Sequence, residues 1–471
     1  MLLGFALGGI CAGIAAAAAG APGGVGACLL AAGSTLLCLR RWRMSVSAGL
    51  VVLSAGCGVV AANIQDAGRS SLREAAEGVP LCSLSGRVLE QAGALGTLVA
   101  AEELACDGWG QLVKAGLVTI DDERPEPGSR IETTGWLLPL KDDAFDRARR
   151  RAGASAAWHS RELRVIQRPV GLHGIAAAYR AALQRGVDEL GSREAGLVLG
   201  LTIGDTSRLG HVIVADFRAA GLAHILAVSG SNVAIILAAV LFVTRRTTAR
   251  FRLASGLVVL SMYVLVVGPD PSVLRAAVSA VVVIVAYASG FRAQPLHALC
   301  LALLILLTLR PQLFFAAGLH LSVAATVGIL LWTAPLAERL RRLPRALRLG
   351  AAATLAAQVG VAPVLIATFG ELSLAGPAAN ALALPAVAPA TVLGLASGAA
   401  ALVNVDGARL LARAAQPFLQ WILWVGETFG QPTWASVSLH RLWALPVAVI
   451  LLPAIARGVT RCIPVGTGAR V

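Results

Sequence analysis

Apolar runs long enough to cross a bilayer, separated by short arginine-rich segments, recur along this chain and restrict it to one class of fold. A spanning helix needs roughly 20 predominantly apolar residues, fewer where flanking side chains reach the interface. Candidate runs lie at residues 2–19, 25–39, 45–62, 222–243, 253–267, 273–289, 296–309, 314–332, 351–368, 374–403 and 442–455. Only 14% of the 471 residues are charged, against about a quarter in soluble domains. The chain therefore reads as an α-helical polytopic membrane protein, with the lipid bilayer as its first partner.

The net charge of +14 comes almost wholly from arginine, with lysine only at Lys114 and Lys141. A GC-rich genome explains that bias without any functional cause, although arginine is also the side chain best shaped for phosphate. Basic loops stay in the cytoplasm. That rule places Arg40, Arg41 and Arg43 inside, with Arg245 to Arg252, Arg292, Arg339 to Arg348, and Arg457 and Arg461. It places the region after the third run outside, along with the Gly268–Ser272 turn. Met1 is followed directly by apolar residues without a basic leader, so no cleavable signal peptide is expected.

Composition divides the chain into residues 1–62 (N-terminal transmembrane helices), 63–170, 171–220 (amphipathic helices), 221–456 (a transmembrane domain) and a cytoplasmic tail, 457–471. In 63–170 charges are frequent and balanced in sign. Short runs there have strand character: Leu81 to Glu90, Gln111 to Ile120, Arg130 to Leu140 and Arg161 to Arg168, punctuated by turns such as Pro125–Gly128. An inserted extracytoplasmic β-rich domain follows, for which an OB-like barrel fits as well as other small β-folds. Cys82 and Cys106 fall in this outside region, where thiols oxidise, and flank what can be one hairpin; they are a candidate disulfide. Cys11, Cys28, Cys38, Cys57 and Cys300 lie in apolar runs and read as small hydrophobes. The cluster Arg147, Arg149, Arg150 and Arg151 reads as a solvated loop, with phosphate contact as the alternative.

Residues 197–240 are the most informative stretch. Their first half is polar and broken, with Asp216 and Arg218, and Asp205 or Ser207 as candidate helix caps. Their second half is an apolar run that nonetheless carries His224, Ser229, Gly230, Ser231 and Asn232. Polar groups in a spanning helix face protein or a wet cavity, so these residues either bond between packed helices or line a path. His224 and Ser229, five positions apart on one helix, would point away from each other, which argues against a serine hydrolase. Further on, 374–403 is too long for a simple span and is interrupted by Pro377, Pro385 and Pro389, while Arg409 to Phe429 is amphipathic, Trp-rich and expected at the interface. Arg275, Gln358, Glu371 and Asn380 are further polar candidates in or beside apolar runs.

The string Gly221-Leu-Ala-His-Ile-Leu-Ala-Val-Ser-Gly-Ser-Asn232 resembles the core motif of the ComEC family of competence proteins. Asp270–Ala276 resembles that family's Arg-Ala segment at a helix start. Pro311–Phe314 through His320-Leu321-Ser322 resembles the stretch before its next helix. Gln358–Pro363, Phe369–Ser373 and Asn380–Pro385 resemble its Gln…Pro…Asn…Pro segment. With the β-rich insert, the resemblance covers nearly the whole chain in order. It implies a channel of the bacterial cytoplasmic (inner) membrane for single-stranded transforming DNA. The implied partners are an external DNA receptor, a cytoplasmic motor and single-strand-binding proteins. Many family members have Leu-His where this chain has Ser231-Asn232, so no role of that histidine carries over. Larger members end in a metallo-β-lactamase-like domain, but none of the seven histidines here forms its H-x-H-x-D-H cluster. A short form with a separate nuclease is expected, with no metal, no cofactor and no catalytic residue. Walker A, H-E-x-x-H and G-x-S-x-G patterns do not occur. The path candidates are thus Asp216, Arg218, His224, Ser229, Gly230, Ser231, Asn232, Arg275, Gln358, Glu371 and Asn380. A secondary transporter for a small solute and an envelope-complex scaffold are the alternatives; a transporter would more often show internal repeats, and none is found.

Overall fold

The computed structural model describes residues 81–91, 96–106, 110–121, 125–141, 154–226, 228–288, 295–310 and 316–440, with isolated positions at 72, 76–77, 146, 149, 313–314 and 443. The runs expected at 2–19, 25–39, 45–62 and 442–455, the arginines at 40–43, 147, 150 and 151, and the tail lie outside the described residues. The strands of the first part are β1 (Leu81–Gln91), β2 (Thr97–Cys106), β3 (Gly110–Ile120), β4 (Arg130–Leu138) and β5 (Ala156–Gln167). Helices follow: α1 (Gly171–Val187), α2 (Ser192–Ile203), α3 (His211–Ala219), α4 (Ala223–Leu226), α5 (Gly230–Val243) and α6 (Ala249–Val267). The chain continues through α7 (Pro271–Ala288), α8 (Pro295–Leu309), α9 (Ala317–Arg339) and α10 (Arg345–Phe369). It closes with β6 (Glu371–Ser373), α11 (Gly376–Ala401), α12 (Val405–Gly430) and β7 (Ser436–Ser438). Two compact units result: residues 1–181 with 248–316, and residues 182–247 with 317–471.

In the first unit the five strands close into a barrel in the order β1-β2-β3-β5-β4, antiparallel except for the β3–β5 pair. This is a five-stranded Greek-key barrel of OB type. β4 alternates strictly, with Ile131, Thr133, Gly135 and Leu137 inward and their neighbours outward. The inward residues join Leu84, Val88, Val99, Leu104, Val118, Ile120 and Trp158 in one core. The Trp158 indole in that core donates to Thr133 Oγ1 at 3.2 Å. Register shifts fall at Ser85/Gly86 and Thr134/Gly135. A Cβ on Gly135 would lie 2.2 Å from the His159 carbonyl, so the bulge needs glycine. Cys82 and Cys106 face each other across β1 and β2 and are bonded, their Cα atoms 4.1 Å apart.

Two expectations change here. β5 starts at Ala156, five residues before the strand read at Arg161, because Ala156 and Trp158 belong to the core. Arg149 is not a solvated or phosphate-facing group: its guanidinium is buried and binds Asp121 and Asp146 Oδ1, the latter at 3.2 Å. The barrel is tied to helix ends within its own unit. Arg180 of α1 bridges Glu126 Oε2 (2.9 Å from Nε) and the Val266 carbonyl in the last turn of α6 (2.9 Å). Glu90 lies 4.0 Å from Arg310, just past α8.

In the second unit α9 and α10 form a hairpin closed by glycines. A Cβ on Gly328 would meet the Ala356 carbonyl at 2.4 Å, and one on Gly360 the Ala324 carbonyl at 2.5 Å. α11 and α12 form a second hairpin: Ser397 Oγ donates to the Ala408 carbonyl (2.9 Å) and Trp421 Nε1 to the Leu382 carbonyl (2.8 Å). Among the described residues four helices are long and apolar enough to cross a membrane: Ala249–Val267, Ala317–Arg339, Leu347–Phe369 and Gly376–Ala401; α7 and α8 are shorter apolar helices.

Three further readings differ from the structure. α11 is one continuous helix of 26 residues; Pro377 sits in its first turn, where no amide partner is lost, and the helix absorbs Pro385 and Pro389. α12 packs antiparallel along α11. Neither Asp205 nor Ser207 caps α3, whose N-cap is Gly210; Asp205 instead accepts from the Ser207 amide at 2.9 Å. The run 222–243 is not one helix: it is interrupted between α4 and α5.

Candidate functional site

The interruption in the 222–243 run falls on the serine pair. Ser229 has extended backbone (φ −117°, ψ 169°) and precedes α5 without capping it. Its hydroxyl instead bonds Ser231 Oγ at 2.6 Å. Gly230 opens α5. His224 sits on the single-turn helix α4, so it shares no helix with Ser229. Ser231 and His224 are not covered by protein, and Ser229 is half-covered. Asn232 behaves differently. It is 2% exposed, and its amide donates to the Leu201 carbonyl near the end of α2 at 2.9 Å. The packing alternative therefore holds for Asn232, and the two serines stay open.

A polar knot fixes the entrance to this broken segment. Gly221 has φ +70°, and a Cβ there would stand 2.9 Å from both Gly376 Cα and Ser373 Oγ. Ser373 Oγ donates to the Ala219 carbonyl at 2.7 Å. Gln358 Nε2 of α10 donates to the Ser373 carbonyl at 3.0 Å. Asn380 of α11 donates to the Gly376 carbonyl at 2.8 Å and reaches the Gly221 carbonyl at 3.4 Å. Residues of β6 and α11 thus clamp the 219–221 turn, and Gln358 of α10 holds β6 in place. Buried amide and carbonyl groups in a membrane protein must find such partners.

Of the sequence candidates, Gln358 and Asn380 meet at this knot. Glu371 does not: it is exposed on β6, paired across to Ser438. Asp216 touches the knot's neighbourhood only through its backbone, where Gly430 leaves no room for a side chain against the Asp216 carbonyl. Arg218 is exposed on α3. Arg275 is buried in the other unit, in the second turn of α7. Ser373 and Gly221 were not singled out, although both lie in the motif strings. The signal available was a serine and a glycine beside the Gln and Asn in one motif. Among the described residues no group of His, Cys, Asp or Glu could hold a metal ion.

Comparisons with known proteins agree with these motifs. The sequence model of the Competence family, described as competence protein, matches residues 201–461. That range takes in α3 to α12, and with them the interrupted run and the knot. Over 192 residues, 40% of this chain, the sequence is 30% identical to ComE operon protein 3 of Bacillus subtilis (strain 168). The matched region spans 24% of that protein's length. No solved structure matches. With the family match over more than half of its length, and with its apolar helices, this multi-pass membrane protein belongs to the ComEC family of competence proteins.

Proposed function

We propose that this protein forms the path by which single-stranded transforming DNA crosses the cytoplasmic membrane during natural competence. The observation that carries the reading is the family match over residues 201–461, because it covers the segment where a spanning run is broken and polar. Broken helices at membrane depth persist only around cavities or within protein. The break leaves the Ser231 hydroxyl exposed and the Ser229 hydroxyl half-covered at the start of α5, and the start of a helix is favourable to phosphate. The OB-type barrel, read as extracytoplasmic, is of a class that binds single strands. In this reading the strand arrives from an external receptor, a cytoplasmic motor draws it in, single-strand-binding proteins receive it, and a separate nuclease removes its complement.

The test is deletion of the gene followed by transformation with labelled linear DNA, scoring surface-bound and imported label separately. Loss of import with surface binding kept is the expected result. Unchanged import would contradict it. A selective loss of small-solute uptake would favour the transporter alternative, which also uses broken helices near the midplane.

A further inference from the structure

α12 carries charge along an edge that no spanning helix should show to lipid. Arg409 Nε and Arg413 NH2 bind the two oxygens of Glu189 at 3.0 and 2.7 Å. Gln420 donates to Glu194 at 3.3 Å, and Arg193 pairs with Glu427. These groups spread from residue 409 to residue 427, about 27 Å of helix, close to the thickness of a hydrocarbon core. Protein covers them only in part: the Arg413 side chain is 66% exposed, while Arg409, Glu189 and Glu427 are half-buried.

Packing within the same unit carries α12 across wherever α11 crosses. α11 is apolar and long enough to span. The contacts Leu382–Trp421 and Ser397–Ala408 hold α12 beside it in antiparallel register. β6, just before α11, pairs with β7, just after α12, so the outer ends of the hairpin lie at one side. A second observation concerns the backbone. Glu189, the partner of Arg409 and Arg413, stands on a turn between α1 and α2, and Asp188 of the same turn pairs with Arg208 at 2.9 Å. Irregular, carboxylate-bearing backbone at membrane depth occurs only where it is enclosed by protein or faces water, and this turn is enclosed only in part.

We propose that this polar edge of α12, with the 188–194 segment, is a water-filled wall of the DNA strand's path; the assignment rests on the import function proposed above. Each arginine named is already held by a carboxylate. A passing phosphate meets a ladder of neutralised charges that exchanges partners and does not trap it, as conduction requires.

The test uses the full chain with every cysteine except Cys82 and Cys106 replaced by alanine. Into it are placed Gln420→Cys, Glu194→Cys or Leu410→Cys, the last an exposed apolar position of α12. Cells are treated with a charged, water-soluble thiosulfonate. The expected result is modification of Gln420→Cys and Glu194→Cys but not Leu410→Cys, with import of labelled DNA falling at least about ten-fold while surface binding is unchanged. Absence of modification at both polar positions overturns the wetted wall. Modification without loss of import overturns its place in the path. Either outcome leaves the import function standing if gene deletion abolishes import; if deletion does not, that function fails independently.

Discussion

Asn232 shows how a single side chain separates packing from passage. From sequence, all the polar groups between His224 and Asn232 had equal standing. The structure buries Asn232 against the Leu201 carbonyl, leaves Ser231 exposed and half-covers Ser229. Replacing Asn232 by Leu leaves a buried carbonyl unpaired, which costs about 1–3 kcal/mol. Asn232→Leu is therefore expected to lower membrane abundance on immunoblot, whereas Ser231→Leu keeps abundance and lowers DNA import. Equal abundance of the two variants would contradict the assignment. Gly221 makes a second residue-scale prediction. Its φ of +70° and the crowding by Gly376 and Ser373 exclude a side chain. Gly221→Ala is expected to cost about 1–3 kcal/mol and to lower the thermal midpoint of the detergent-solubilised protein. Neither role was legible in the sequence, because both depend on contacts with segments far along the chain.

At the scale of elements, periodicity disclosed most of the barrel but not β2. Thr97–Cys106 is rich in Ala and Glu, residues that disfavour strands, and it is held there by pairing with both β1 and β3. Cys82 and Cys106 were candidates for a disulfide by their place in the outside region, and they pair across the β1–β2 hairpin. Removing that bond opens a loop of 24 residues in sequence separation, a loss of roughly 3 kcal/mol on a chain-entropy account. Cys82→Ser should make the barrel sensitive to limited proteolysis at temperatures where the unaltered chain resists. The prolines misled in the other direction: α11 absorbs Pro385 and Pro389 inside a packed hairpin, while the real break in the neighbouring run falls at serines.

The junction of barrel and helix ends also carries a pH dependence. Burial pushes the Glu90 carboxyl above the usual range; Arg310 partly offsets the rise, and Asp270 adds to it. A carboxyl raised on folding holds its proton more tightly in the folded state. Its unfavourable contribution is absent below the ordinary carboxylate range and grows as pH rises toward the folded value. The thermal midpoint should therefore fall as pH rises above the ordinary carboxylate range, and Glu90→Gln should reduce that fall. An identical pH profile in the variant would show that Glu90 is not the group responsible.

At the scale of the whole molecule, the apolar runs and arginine loops read the class of protein correctly, and the motif strings read its family. What the runs did not disclose was the pairing of helices. An amphipathic sequence such as α12 looks interfacial by itself, and its place beside α11 rests on tertiary contacts at Leu382 and Ser397. The central claim is that a DNA strand passes through this protein. It is tested most directly by placing a photoreactive amino acid at Ser231 or Gln420, with Leu410 as the lipid-edge control, and irradiating cells while labelled DNA is being taken up. The account predicts covalent adducts with single-stranded label at Ser231 and Gln420 and none at Leu410. Absence of adducts at both polar positions in cells that import DNA at the normal rate would contradict it.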